Sequence, residues 1–204
     1  MRYERMIMEV ESPEEVGYDR VRVNLAESSM RDRTLRNLGI DPEMLSGLLL
    51  QYADHRGMES ARRAVAQDGD GLDAGDVLLT VGAAGALFLV ATALLEPGDR
   101  LVVALPNYAS NLETPRAIGA EIVPLGLRFE DGWRVDIERL AALVTPGTKL
   151  VSLTTPHNPT GTELGADELR AIAAIAERAG AWLLVDETYR ELAAAPGPLA
   201  ASLG

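Results

Sequence analysis

The sequence predicts an α/β protein built on a mostly parallel sheet, and three observations carry that expectation. From about Val77 onward, short apolar runs alternate with helical patterns. The runs are continuously apolar rather than alternating, as strands buried on both faces must be. Two helical stretches end at a glycine, Gly119 and Gly180, the residue that most readily closes a helix. A βαβα order of this kind folds with right-handed crossovers.

The elements follow in order. Strands are expected at Val77–Val81, Leu101–Ala104, Glu121–Leu125, Lys149–Thr154 and Trp182–Val185. The helix Ala83–Leu95 is apolar around most of its circumference, which predicts deep packing. Tyr108–Ile118 is polar on one side. Asp136–Val144 sets Ile137, Leu140, Ala141 and Val144 at helical spacing behind Asp136 as N-cap. Ala166–Ala179 gathers Leu169, Ile172, Ala173 and Ala176 on one face. Earlier in the chain, Met58–Gln67 reads as a helix with Ala61, Ala64 and Val65 inward and its arginines outward. Asp68–Asp76 reads as an acidic turn. Its carboxylate spacing invites a calcium site, but positions five and six of the EF-hand pattern fall on Leu72 and Asp73, so the template fails. No metal site is expected.

Composition narrows the function. The 204 residues are 47% apolar and 25% charged, an ordinary globular balance. With 19 Lys plus Arg against 31 Asp plus Glu, the chain offers no basic footprint for nucleic acid or an anionic membrane. The absence of cysteine excludes disulfides, thiolate zinc sites and cysteine nucleophiles. There is a single lysine, Lys149. Arg2, Glu4, Arg5 and Glu9 interrupt any signal-peptide core, and the weakly polar run Val81–Leu95 is too short to span a bilayer. A soluble, cytoplasmic protein is expected.

Ligands of open α/β sheets bind outside the carboxyl ends of the strands, and polar residues gather there. Gly82-Ala83-Ala84 follows the first strand and opens a helix; Leu105-Pro106-Asn107-Tyr108 follows the second. Pro156-His157-Asn158-Pro159-Thr160-Gly161 follows the fourth, and the last runs into Asp186-Glu187-Thr188-Tyr189. Taken singly, each has a structural explanation: close packing, a loop aromatic, a turn asparagine, a helix cap. Taken together at one sheet edge, they suit one chemistry. A helix start with unhindered N–H groups holds a phosphate, its dipole contributing roughly 0.3–2 kcal/mol. An aromatic stacks on a flat heterocycle. A buried carboxylate keeps a ring nitrogen protonated through a charge-assisted bond of about 1.5–3 kcal/mol. His55 and His157 receive no role.

These segments, with Tyr52-x4-Gly57 and Thr80 to Leu87, resemble the class I/II aminotransferases of pyridoxal-phosphate fold type I over roughly residues 45–190. The resemblance implies a three-layer αβα large domain, a pyridoxal 5'-phosphate cofactor, amino-acid and 2-oxo-acid substrates, and a homodimer when complete. It implies that Gly82, Ala83 and Ala84 hold the cofactor phosphate and that Tyr108 stacks on the ring. Asn158 and Tyr189 would bond the phenolic oxygen, Asp186 would face the ring nitrogen, and Tyr52 would reach a partner's phosphate. Residues 1–45 then form an N-terminal arm and small-domain segment, and 46–204 the cofactor-binding domain. Other reactions share the same motifs: C–S lyase, decarboxylase and amino-acid cyclase chemistry, or a non-catalytic scaffold that binds the cofactor. Where many relatives place a glycine beside the substrate, this chain has Glu27 with Ser28 and Ser29. Two readings stay open for Glu27, an attraction for a cationic substrate or simple surface exposure.

The family's Schiff-base lysine lies beyond the Asp-Glu-x-Tyr segment, and no such lysine follows Tyr189 here. The fold is therefore expected to be incomplete at its C-terminus, with Val77–Val81 and Lys149–Thr154 each lacking a sheet neighbour. Lys149 begins a strand, so it sits at the opposite end of the sheet and cannot substitute. The 204-residue chain alone is expected not to turn over. Sustained ketone formation from an amino donor by the purified chain would contradict that expectation.

Overall fold

A computed structural model describes residues 1–25 and 32–203. It divides into two units, residues 1–6 with 56–204 and residues 7–55. The smaller unit carries short helices α1 (Ile7–Val10), α2 (Pro13–Val16) and α3 (Pro42–Ser46), the last capped by the Asp41 side chain on the Glu43 N–H at 3.0 Å.

The larger unit opens with α4 (Glu59–Ala66) and α5 (Gly82–Leu94). The β/α alternation follows: β1 (Arg100–Leu105), α6 (Ser110–Ile118), β2 (Glu121–Gly126), α7 (Ile137–Leu143), β3 (Thr148–Thr154), α8 (Ala166–Ala179) and β4 (Trp182–Asp186). Among the described residues the sheet has the order β2-β1-β3-β4, and all pairings are parallel.

Strand periodicity sorts the apolar side chains into two layers. Leu101 and Val103 pack with Leu150 against Ala91 of α5, Leu95 directly after it and Leu112 of α6. Val102, Ala104, Val151 and Leu153 pack on the other face against Leu140 of α7 and Ile172, Ile175 and Ala176 of α8. Because both faces are covered, β1 is continuously apolar, and the α/β three-layer expectation is met. Local signals hold as well. Asp136 caps α7 by accepting the Arg139 N–H at 2.9 Å, and α8 closes at Gly180 in the left-handed region.

Four expectations are corrected. Among the described residues Val77–Val81 joins no ladder: the Leu79 N–H donates to the Arg56 carbonyl at 2.9 Å, but the pairing is not continued into a strand. The deep packing expected for α5 is one-sided: Leu87 and Ala91 are buried, whereas Phe88 and Leu89 stay 43% and 45% exposed. Lys149–Thr154 is not an open edge, because β3 lies between β1 and β4; among the described residues the outer strands are β2 and β4. In α4 the buried residues are Arg62 and Ala66, while Ala64 and Val65 are exposed. The Arg62 Nε donates to the Gly57 carbonyl at 3.0 Å and its Nη1 to the Ala74 carbonyl, so backbone oxygens replace the water lost on burial. In the acidic turn, Asp76 accepts the Asp73 N–H at 2.9 Å, so that carboxylate serves its own backbone.

Ile172 is fully buried at the centre of the α8 layer. Truncating Ile172→Ala is expected to cost about 2–5 kcal/mol in unfolding free energy, read by denaturant titration.

Candidate functional site

Parallel pairing brings Leu105, Thr154 and Asp186 to the same edge of the sheet. Beyond that edge the three connections are tied together by side-chain hydrogen bonds. After β1, Asn107 turns back: its Nδ2 donates to the Ala104 carbonyl at 3.1 Å, and its Oδ1 accepts the Tyr108 N–H at 2.7 Å and the Thr154 hydroxyl at 3.3 Å. Asn111, in the first turn of α6, donates from Nδ2 to Asn107 Oδ1 at 3.1 Å and to Asp186 Oδ2 at 3.4 Å. The Ser152 hydroxyl of β3 donates to Asn111 Oδ1 at 3.1 Å. Asn107, Asn111 and Ser152 are all buried.

Asp186 ends β4 half-buried rather than fully buried. Its Oδ1 accepts the Thr188 N–H at 3.1 Å and the Thr188 hydroxyl at 2.6 Å, and its carbonyl accepts the Thr155 N–H at 2.9 Å. Donors therefore approach both carboxylate oxygens.

The loop after β3 closes on itself. Gly161 N–H donates to the His157 carbonyl at 2.6 Å, and His157 N–H donates to the Thr162 carbonyl at 2.8 Å. His157 Nδ1 and the Thr160 hydroxyl are 2.8 Å apart, and the Thr160 and Thr162 hydroxyls 3.0 Å. This ring of bonds surrounds half-buried Asn158. His157 is 5% exposed, and its buried Nε2 has no well-formed hydrogen bond. Burial pulls its imidazole below the ordinary histidine value, with the Pro106 carbonyl acting weakly in the opposite sense. Glu187 moves the other way. Burial raises its carboxyl although the Ala200 N–H donates to it at 3.2 Å.

Tyr108 stands 42% exposed beside this network, and Tyr189 is half-buried three residues after Asp186. Gly82, Ala83 and Ala84 form the exposed first turn of α5, which has no side-chain cap. A turn further along, Leu87 lines a small cavity with Ser110, Asn111 and Ser152. Tyr52 belongs to the smaller unit and is fully exposed. Glu27, Ser28 and Ser29 lie outside the described residues. Lys149 is exposed at the amino end of β3, while Thr154 and Asp186 pair at the other end.

The sequence assigns no role to Asn111 or Ser152, and Asn107 enters it only as part of the Pro106-Asn107-Tyr108 segment. Their traces were a serine inside the apolar strand Leu150–Leu153 and two asparagines four residues apart, neither of which specifies a partner.

The family profile "Aminotransferase class I and II" matches residues 23–202, and the chain belongs to that family. Over 146 residues it is 39% identical to the arginine–pyruvate transaminase AruH of Pseudomonas aeruginosa, covering 69% of this chain and 37% of that one. A solved PLP-dependent aminotransferase from Streptococcus suis superposes with a TM-score of 0.78 at 32% identity, over 84% of this chain and 48% of that one. The PLP-dependent cyclase OrfR gives a TM-score of 0.65 at 37% identity, over 72% of this chain and 38% of that one. The chain thus spans less than half the length of these relatives. No helix among the described residues is long and apolar enough to cross a membrane.

The two shifted groups set opposing pH dependences. With His157 depressed when folded, its stability contribution is present above pH 6.5, the ordinary histidine value, and is lost as pH falls below it. With Glu187 raised, its contribution is largest below pH 4.5 and is lost as pH rises through its folded value. Relative to the parent, His157→Gln should therefore lose less, or gain more, thermal midpoint on acidification from pH 8 to pH 5. Glu187→Gln should gain relative stability toward neutral pH.

Proposed function

We propose that the whole protein is a pyridoxal-phosphate-dependent aminotransferase working between an amino acid and a 2-oxo acid, and that residues 46–204 carry its cofactor-contact groups. The observation that carries this reading is Asp186, a carboxylate at the end of β4 to which Asn111 and Thr188 offer donors on both oxygens.

The residues present fit the cofactor. A half-buried carboxylate restrained on both oxygens suits a cationic ring nitrogen. The uncapped start of α5 suits a phosphate, and at Gly82, with φ +70°, open space stands where a Cβ would be. When bound, pyridoxal phosphate supplies an electron sink for the amino-acid substrate. Asp186 would hold the proton on the ring nitrogen through a bond of about 1.5–3 kcal/mol. The backbone of Gly82, Ala83 and Ala84 would hold the phosphate, and Tyr108 would cover one ring face. Asn158 and Tyr189 would bond the phenolic oxygen. Full exposure of Tyr52 suits a residue that serves a partner's site, which supports a homodimer. We assign residues 1–45 to an arm and small-domain segment and the protein to the cytoplasm.

Similarity to a cyclase favours one second reading, another reaction of the same cofactor. Lyase or decarboxylase chemistry would use these same groups, and a non-catalytic scaffold would bind the cofactor without turnover.

Titrating the 204-residue chain with pyridoxal phosphate should give a visible absorbance that dialysis reverses. Borohydride should leave no covalent adduct at Lys149. Asp186→Ala should weaken binding roughly 10–100-fold. Unchanged affinity in that variant would remove the assignment of Asp186.

A further inference from the structure

We propose that Asn111 is a positioning residue for the cofactor ring: its side-chain amide orients the Asp186 carboxylate, and the polarity of that contact is dictated by the backbone at the end of β1. The inference rests on the cofactor reading above.

An asparagine amide has a donor end and an acceptor end, and only its partners decide which way it lies. For Asn107 the partners leave no choice. The Ala104 carbonyl can only accept, so it takes Nδ2; the Tyr108 N–H can only donate, so it takes Oδ1. Asn107 therefore presents Oδ1, an acceptor, to Asn111 at 3.1 Å. The facing atom of Asn111 must be its Nδ2, and that same nitrogen faces Asp186 Oδ2. The Ser152 hydroxyl completes the arrangement by donating to Asn111 Oδ1, the end turned away from Asp186.

A flipped Asn111 would be opposed by both Asn107 and Asp186, while the Ser152 hydroxyl, which can also accept, would not decide between the two orientations. Its oxygen would meet Asn107 Oδ1 and the carboxylate, acceptor against acceptor, inside a buried region. Thr188 donates to Asp186 Oδ1, so each carboxylate oxygen has a donor and the group cannot rotate without losing one. Asn111 touches neither ring nor substrate in this account; it acts through Asp186.

The test separates orientation of Asp186 from general packing. Affinity of the full chain is measured for pyridoxal phosphate and for its 1-deaza analogue, in which C–H replaces the ring nitrogen. Loss of packing weakens both ligands alike; loss of the aligned carboxylate reduces only the preference for the nitrogen-containing ring. The parent should prefer pyridoxal phosphate, Asp186→Ala should abolish the preference, and Asn111→Leu should reduce it about tenfold. The isosteric Asn111→Asp, which places an acceptor where the donor stood, should reduce it at least as much, and it decides the matter if the leucine variant does not fold. Ser152→Ala, which removes the hydroxyl that anchors Asn111 Oδ1, should give a smaller loss in the same direction. A preference retained in the folded Asn111 variants overturns the role of Asn111 alone. A parent with no preference, matched by Asp186→Ala, overturns the cofactor reading and this inference with it.

Discussion

Parallel pairing of the strands is the constraint on which everything else in the larger unit depends. Because β1, β2, β3 and β4 all run the same way, every carboxyl end opens on one edge, and every connection leaving that edge begins near its neighbours. The same pairing fixes which residues face which layer. Leu101 and Val103 go to one side, Val102 and Ala104 to the other. A shift of one residue would exchange the two layers and move Asp186 off the end of β4. Packing of the core and presentation of the site therefore have a common origin.

Polar groups at that edge are held by a second constraint, the cost of burying an unpaired donor or acceptor. Asn107 and Asn111 sit where water is excluded, so their amides must find partners within the protein. They do so in only one polarity, set by a carbonyl and an N–H of the chain itself. His157 meets the same cost differently. One nitrogen pairs with Thr160, the other is buried without a good partner, and the ring is driven toward its neutral form. Across the edge, Glu187 is likewise pushed toward its neutral acid by burial.

Much of this was legible in the sequence, and the failures have physical causes. The runs from Leu101 and Lys149 became the central strands, where continuous apolarity suits burial on two faces, and those from Glu121 and Trp182 became the less buried outer strands. The equally apolar Val77–Val81 did not, since apolarity cannot supply a hydrogen-bonding neighbour. The outer face of α5 shows the same gap: its composition invites packing on all sides, yet Phe88 and Leu89 stay partly exposed. Arg62 was read as solvent-facing because arginine usually is. Its inward position depends on the carbonyls of Gly57 and Ala74, which no helical periodicity could have indicated.

The sequence by itself determined the fold class, the order of the elements and the identity of the polar residues following each strand. Those are consequences of local periodicity, capping and turn chemistry, which act between residues close along the chain. Tertiary structure alone decided that β3 is central, that β4 is an outer strand among the described residues, and that Asn111 and Ser152 stand behind Asp186. Each depends on which distant segments pair and on where water is excluded. The direction of a hydrogen bond between residues 75 positions apart is settled only when both ends are in place.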